Sequence, residues 1–389
     1  MNDRAEAGSW EAALARVLPV LRQGAGEADD RSCFPHASMK ALRKEGLLGL
    51  IVPAQFGGRG ASLRTFVSVA ERMAGACLST AHLWTMHCFQ VDAITRHGST
   101  ALKDALLPRV AAGEVYIASV TSERGRPSDL FSAREPLRVD GDHLLVERSA
   151  PVVSGGAQAE GFLLTMRAAE DATEQQVSLV YADRRDLRVD ENGGWDVMGM
   201  RATASGGLEL SGRVPAENVV GPPGGFAEIA RTSMIPLSHL GWSACWLGAA
   251  RGALADLVAW FRANGSSTPG ELFYERLARI RVELELVSAY LHRVLEQVEQ
   301  ARAEGRSLAE PRAQLQLSAL KVIASEHTFR AVDRMVEMGG LRLGYGRRSP
   351  VPLERHFRDL RSASLNHAND ALWTGIGALT LLDRSVSLI

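Results

Sequence analysis

The spacing of apolar residues changes twice along this chain, and that double change constrains the fold more than any other feature. In the first part the spacing is helical. Leu14, Val17, Leu18 and Leu21 recur on one face, as do Met39, Leu42 and Leu47, and then Phe66, Val69, Ala70 and Met73. Val52-Pro53 and Phe56-Gly57-Gly58-Arg59-Gly60 interrupt the pattern. From Val115 the chain turns to short alternating segments. Tyr116 to Ser122, Leu137 to Val139, His143 to Glu147, Phe162 to Met166 and Val177 to Ala182 are predicted strands, and Leu208, Leu210, Gly212 and Val214 alternate with polar residues. Asp140-Gly141-Asp142 is a predicted hairpin turn, because Asp-Gly supplies positive φ. Long helical stripes then return: Ile280, Leu284, Val287, Leu291, Val294 and Val298, followed by Leu317, Leu320, Ala324, His327, Ala331 and Met335. With the segments Trp242–Phe261 and Leu365–Leu382 they predict a four-helix bundle. Helical, then strand-rich, then helical composition predicts an α+β chain of three domains. These are an N-terminal helical domain (1–114), a central β-barrel domain (115–224) and a C-terminal helical bundle (225–389).

A chain of 389 residues is long enough to bury several sizeable cores. Lys and Arg total 44 against 45 Asp and Glu, so no global field argues for nucleic acid or for an anionic membrane. Cys33, Cys77, Cys88 and Cys245 have no C-x-x-C spacing and sit in apolar surroundings, as expected of reduced core thiols in a cytoplasmic protein. The first twenty residues carry Arg4, Glu6, Glu11 and Arg16, which is unlike a secretory signal. Trp242–Phe261 is the most apolar long window, but Arg251 and Asp256 interrupt it, so a buried helix is expected there instead of a membrane span. His82 and His87 lie five apart and share no helix face, and no metal site is predicted.

The chemistry concentrates between Val336 and Asp370. Gly339-Gly340-Leu341-Arg342-Leu343-Gly344-Tyr345 ends a helical stripe at paired glycines, which let the backbone turn tightly and approach a ligand. Pro352-Leu353-Glu354-Arg355-His356-Phe357-Arg358-Asp359-Leu360-Arg361 follows, and then Asn366-His367-Ala368-Asn369-Asp370. A glycine break beside Arg355, Arg358 and Arg361 suits a pyrophosphate, because arginine forks match phosphate oxygens. A helix end followed by a solvated charged helix fits the same residues.

GG-x-x-x-GY followed by P-L-E-R-x-x-R-D-x-R resembles the C-terminal signature of the acyl-CoA dehydrogenase superfamily of flavoproteins. Glu45-Gly46-Leu47-Leu48-Gly49, Val52-Pro53-x-x-Phe56-Gly57-Gly58-x-Gly60 and Ser79-Thr80-Ala81-His82 are similar to its helical first domain. Gly199-Met200-Arg201-Ala202-Thr203-Ala204-Ser205-Gly206 through Val214-Pro215-Ala216-Glu217-Asn218-Val219-Val220-Gly221 resembles its most recognisable barrel segment. Ser119-Val120-Thr121-Ser122-Glu123, ending in Ser128-Asp129, resembles the segment that lines flavin and substrate, with Arg124-Gly125-Arg126-Pro127 in place of a small Pro-Gly-Ala run. The resemblance implies FAD, with FMN as the alternative, and a cofactor-binding set of Thr121, Ser122, Ser154, Gly339, Gly340, Arg358 and Asn369. It further implies a homodimer or homotetramer. In Val152-Val153-Ser154-Gly155-Gly156 the resemblance sets the Ser154 hydroxyl against flavin N5, although Val153 stands where the dehydrogenases keep tryptophan.

Two departures bear on the reaction. The family's dehydrogenases remove an α-proton with a glutamate, but counting from Arg358-Asp359 that position holds His367, and the alternative position falls near Ser238. The Arg-x-x-Phe-Gly turn expected after Phe261 is Asn264-Gly265-Ser266-Ser267-Thr268-Pro269-Gly270, and Val336 replaces a glutamine, so the diphosphate contacts are weakened. Both departures resemble the superfamily's flavin monooxygenases, which borrow reduced flavin from a separate reductase and form a C4a-hydroperoxide. On that resemblance His367, Ser154 and His87 are the candidate catalytic residues, acting on a small organic or carrier-tethered substrate. A dehydrogenase of acyl-CoA or carrier-protein thioesters with His367 as base is the alternative, and a non-catalytic ligand-binding member is the second.

Overall fold

The computed structural model describes residues 3–124, 129–265, 270–383, 386 and 388. The chain forms two compact units. The first comprises Met1–Ser62, Leu83–Asp196 and Ala202–Ser238, and the second Leu63–His82, Val197–Arg201 and His239–Ile389.

Five helices open the chain: α1 (Asp3–Asp30), α2 (His36–Lys44), α3 (Leu63–Ala74), α4 (Leu78–His97) and α5 (Thr100–Ala111). The predicted stripes are their buried faces. Leu14, Val17 and Leu21 of α1 are fully buried, as are Phe66, Val69, Ala70 and Met73 of α3. Ser99 caps α5, its hydroxyl accepting from the Leu102 N–H at 3.0 Å.

The strand-rich stretch folds as two four-stranded sheets. One has the order β1 (Ile117–Val120), β4 (Gly161–Arg167), β5 (Val177–Asp183), β8 (Val219–Val220); the other has β2 (Arg138–Asp140), β3 (His143–Ala150), β7 (Leu208–Pro215), β6 (Leu187–Glu191). β4 and β5 are buried along almost their whole length, and β3 alternates as a strand with one solvated face must. The β2–β3 hairpin turns at Gly141, whose φ is 65°. Sequence patterning missed β6, where Leu187 and Val189 are set among charges on an exposed edge, and β8, which has two residues.

A four-residue helix α6 (Phe226–Ile229) leads into α7 (Ile235–Asn264), followed by α8 (Glu271–Ala303), α9 (Pro311–Leu343), α10 (Leu353–Arg361) and α11 (Asn369–Thr380). In the second unit, α9 packs against α8, α10 and α11. Its regular path breaks at Gly340, where φ is 60° and ψ −165°, and the Gly344 and Tyr345 N–H groups turn back onto the Gly340 carbonyl. The paired glycines therefore end the helix as their conformational freedom predicts. Among the described residues, no helix is long and apolar enough to cross a membrane, and no group of three or more His, Cys, Asp or Glu side chains is arranged to hold a metal.

Candidate active site

In the first unit the candidate residues form a chain of hydroxyls. Ser154 follows β3 in a turn that Gly155 completes at φ 61°. A side chain at Gly155 would press on Phe34, Leu83 and the Tyr116 hydroxyl, so only glycine fits. The turn is held from two sides. The Gly155 N–H donates to the Thr203 carbonyl (2.9 Å), and the Val153 N–H to the Gly206 carbonyl (3.1 Å). Ser122 Oγ donates to the Val152 carbonyl at 2.8 Å. The segments resembling the family's barrel therefore meet around Ser154. Ser205 Oγ donates to Ser154 Oγ at 2.9 Å, and Thr203 Oγ1 lies 2.8 Å from Ser205 Oγ. Once Ser154 accepts from Ser205, its own proton is left to donate onward, and a chain of hydroxyls polarises that terminal O–H. Ala204, between the two donors, is held at φ 43°, a costly conformation for a residue with a Cβ.

In the second unit three imidazoles gather on a wall of indoles. The His82 ring stacks on Trp242 (5.8 Å between centroids, 11° between planes), His239 lies 6.2 Å from Trp242, and His367 lies 5.7 Å from His239. Trp246 continues the wall at 6.4 Å from Trp242. Burial drives all three imidazoles toward the neutral form. It takes His82 down to about 4 and His239 well below the ordinary value. It lowers His367 too, with the nearby Lys321 charge acting in the same direction. His239 Nδ1 faces the Leu317 carbonyl at 3.0 Å and so carries the proton, which leaves Nε2 a bare acceptor. That Nε2 and His82 Nδ1 are buried without a partner. Each leaves a buried hydrogen-bonding position open to a bound polar group.

Beneath His367 lies Lys321, fully buried. Its Nζ donates to the Ala363 carbonyl (3.1 Å), the His367 carbonyl (2.9 Å) and Asn369 Oδ1 (2.7 Å). Sequence reasoning missed both Lys321 and His239. The available signal was a lysine beside Leu320 inside an apolar stripe that runs from Leu317 to Ala324, where a cation has to find a buried partner.

The remaining candidates have structural duties. Arg358 is committed to Glu354 (2.7 Å) and to the Met198 carbonyl (2.9 Å). Asn369 is committed to Lys321, Ser325 and Glu326. Thr121 is half-buried after β1, and Gly339 lies one residue before the Gly340 break in α9. Much of the Arg124–Asp129 loop, and residues 266–269 of the other divergent loop, lie outside the described residues. His87 is fully buried with both nitrogens engaged: Nδ1 accepts from the Ile117 N–H (3.0 Å), and Nε2 donates to the Leu48 carbonyl (3.1 Å). Neither nitrogen is available to move a proton, so the geometry makes His87 a tie between α4, β1 and the segment after α2. Replacing it with leucine is expected to strand a buried N–H and a buried carbonyl and to cost roughly 2–4 kcal/mol, measured by chemical denaturation. Burial lowers its ionisation to about 4. The stability it contributes is thus complete above about pH 6.5 and lost as pH falls toward 4. The variant should show a flatter acid limb.

The family model of the acyl-CoA dehydrogenase N-terminal domain matches residues 13–114, and that of the C-terminal domain matches residues 240–370. The chain belongs to the acyl-CoA dehydrogenase family. Family members of both chemistries are similar to it over nearly their full length. A mitochondrial isobutyryl-CoA dehydrogenase of Dictyostelium discoideum is 25% identical over 92% of this chain and 85% of its own. A probable FMNH2-dependent monooxygenase, SfnC of Pseudomonas putida, is 24% identical over 96% and 95%. The crystal structure of FMN-bound TdsC from Paenibacillus sp. A11-2 shares the fold, with a TM-score of 0.83 at 21% identity over 96% of this chain and 98% of that one.

Proposed function

We propose that this family member is a flavin-dependent monooxygenase that receives reduced flavin from a separate reductase and acts on a small organic or carrier-tethered substrate. When bound, reduced flavin supplies the two electrons that divide O2 between the oxygenated product and water. Ser154, polarised by Thr203 and Ser205 behind it, would hold the flavin edge through a hydrogen bond from its hydroxyl. His367 holds and returns the proton that the oxygen chemistry moves, a task suited to a neutral imidazole. The observation that carries this reading is the make-up of the His367 cluster. Among the described residues its members are imidazoles, indoles, amides and one ammonium, and Glu326, the acid that reaches it through Asn369, is already held by Asn369 and Trp373. The glutamate that the family's thioester dehydrogenases use as base has no counterpart there, and a dehydrogenase reading would have to use His367 itself as base. Assembly as a homodimer or homotetramer belongs to the same proposal.

One assay tests it. Purified protein is mixed with chemically reduced FMN or FAD and then with oxygen. A spectral transient between the reduced and oxidised flavin, longer-lived than with free flavin, is the expected result. Its absence, together with bleaching of bound FAD by an acyl thioester, would make the chain a dehydrogenase. Failure to bind flavin in either redox state would make it a non-catalytic ligand-binding member.

Ser154→Ala removes one neutral hydrogen bond worth about 1 kcal/mol. Flavin affinity should therefore fall roughly fivefold, read by quenching of flavin fluorescence, while stability changes little. An unchanged affinity would take Ser154 out of the cofactor site.

A further inference from the structure

A lysine has no ordinary reason to be at the centre of this bundle. Lys321 is fully buried on α9, and the atoms that receive its three protons are two carbonyl oxygens and an amide oxygen, none of them charged. Nζ also lies 5.6 Å from the centre of the Trp246 ring. A buried ammonium with no carboxylate bonded to it directly is expensive, and a methionine of similar volume would fill the same space at no electrostatic cost. What the ammonium does here is specific. Its three acceptors come from the turn that joins α10 to α11, and that turn presents His367 at φ 53°, a conformation that residues with a side chain avoid. Two of the three bonds bracket the strained residue, one on its own carbonyl and one on Asn369 two positions later. The third, on Ala363, ties the far side of the turn.

We infer that Lys321 is the positioning residue of His367: its ammonium pins the turn from 363 to 369 so that the imidazole is held in its left-handed conformation within the histidine and tryptophan cluster. This rests on the reading of His367 as the group that handles the proton, and it adds a device that the family signature does not contain.

The same charge has a second effect on the ring it positions. His367 from the turn and His239 from α7 both face it, as does Glu326 from α9 through Asn369, while His82 from α4 stacks on Trp242. The lysine's charge disfavours the imidazolium form of His367 and His239, adding to burial. Lys321 is itself pushed down to about 7 by burial, whereas its three oxygen acceptors favour the protonated form.

The test uses Lys321→Met in the full chain, with imidazole titration followed by NMR and turnover followed separately. Loss of the pin should reduce kcat at least tenfold with KM nearly unchanged, and it should move the His367 titration upward in pH. A Lys321→Ala variant leaves room for ethylammonium, and partial rescue by that ion but not by ethanol is expected. Lys321→Met with wild-type kcat and an unmoved His367 titration would overturn the inference, as would an alanine variant that ethylammonium leaves unchanged. If Lys321→Met does not fold, the alanine variant with ethylammonium decides alone. The titration is read without substrate or flavin. It therefore reports on the pin even if His367→Ala proves fully active and the catalytic reading of His367 falls.

Discussion

His367→Ala is expected to reduce turnover by roughly three orders of magnitude while the protein remains folded, because a positioned acid–base group contributes about 10²- to 10⁴-fold. The substitution needs a partner, since it changes two things at once. Residue 367 is at φ 53°, where alanine is strained and asparagine is comparatively tolerated. His367→Asn therefore preserves the turn and an amide able to hydrogen-bond, but removes the titrating ring. Both variants should be inactive to a similar degree, and the asparagine variant should melt higher. The sign of the pH dependence follows from burial and from Lys321, which lower the imidazole's ionisation below 6.5. The neutral form then dominates at and above that pH, so the limb that His367 imposes on kcat should lie on the acid side, and a basic limb belongs to Lys321, which burial pushes down to about 7. The variants should lack the acid limb. An asparagine variant with more than about a tenth of wild-type kcat would remove His367 from proton handling.

Why some of this was legible in the sequence and some was not is a question of range. Strands β1 to β5 and β7 could be read because alternation and turn residues are local, and the hairpin at Gly141 follows from two adjacent residues. The helix end at Gly340 is local in the same way. Ser154 could be named only through a resemblance, because its meaning depends on Ser205, 51 positions away. His87 shows the opposite failure. As a lone histidine in an apolar helix it was compatible with a site, and the two backbone groups that engage it lie 39 and 30 positions away in sequence. Arg358 and Asn369 carry a cofactor expectation through the resemblance, and in the structure their side chains bond Met198, Glu354, Lys321, Ser325 and Glu326, partners that lie far away in sequence except Glu354. His239 and Lys321 carried no motif at all.

The second large effect is structural and falls on Gly199. Residues 197–201 approach α10 within the second unit, and the two family segments that were most recognisable in sequence, one around Gly199-Met200-Arg201 and one at Arg358-Asp359, meet there. The Asp359 carboxylate, buried at 5% exposure, accepts the Met200 N–H at 2.6 Å, and the Arg358 guanidinium donates to the Met198 carbonyl at 2.9 Å. Gly199 lies between these two bonds. A methyl group built on it overlaps the Arg358 carbonyl outright and stands 2.6 Å from the Asp359 nitrogen. The obstacle is helix backbone, which cannot rotate away as a side chain could, so both flanking bonds must lengthen together. Gly199→Ala should therefore cost about 3 kcal/mol or more, seen as a lower denaturation midpoint at unchanged m-value. Gly375 of α11 is the matched control, because a methyl there meets nothing within 4 Å. On that exposed helical position alanine should be neutral or slightly stabilising, since it only restricts the unfolded chain. Equal midpoints for the two variants would mean that the approach of residues 197–201 to α10 contributes little to stability, and that these two segments are retained for another reason.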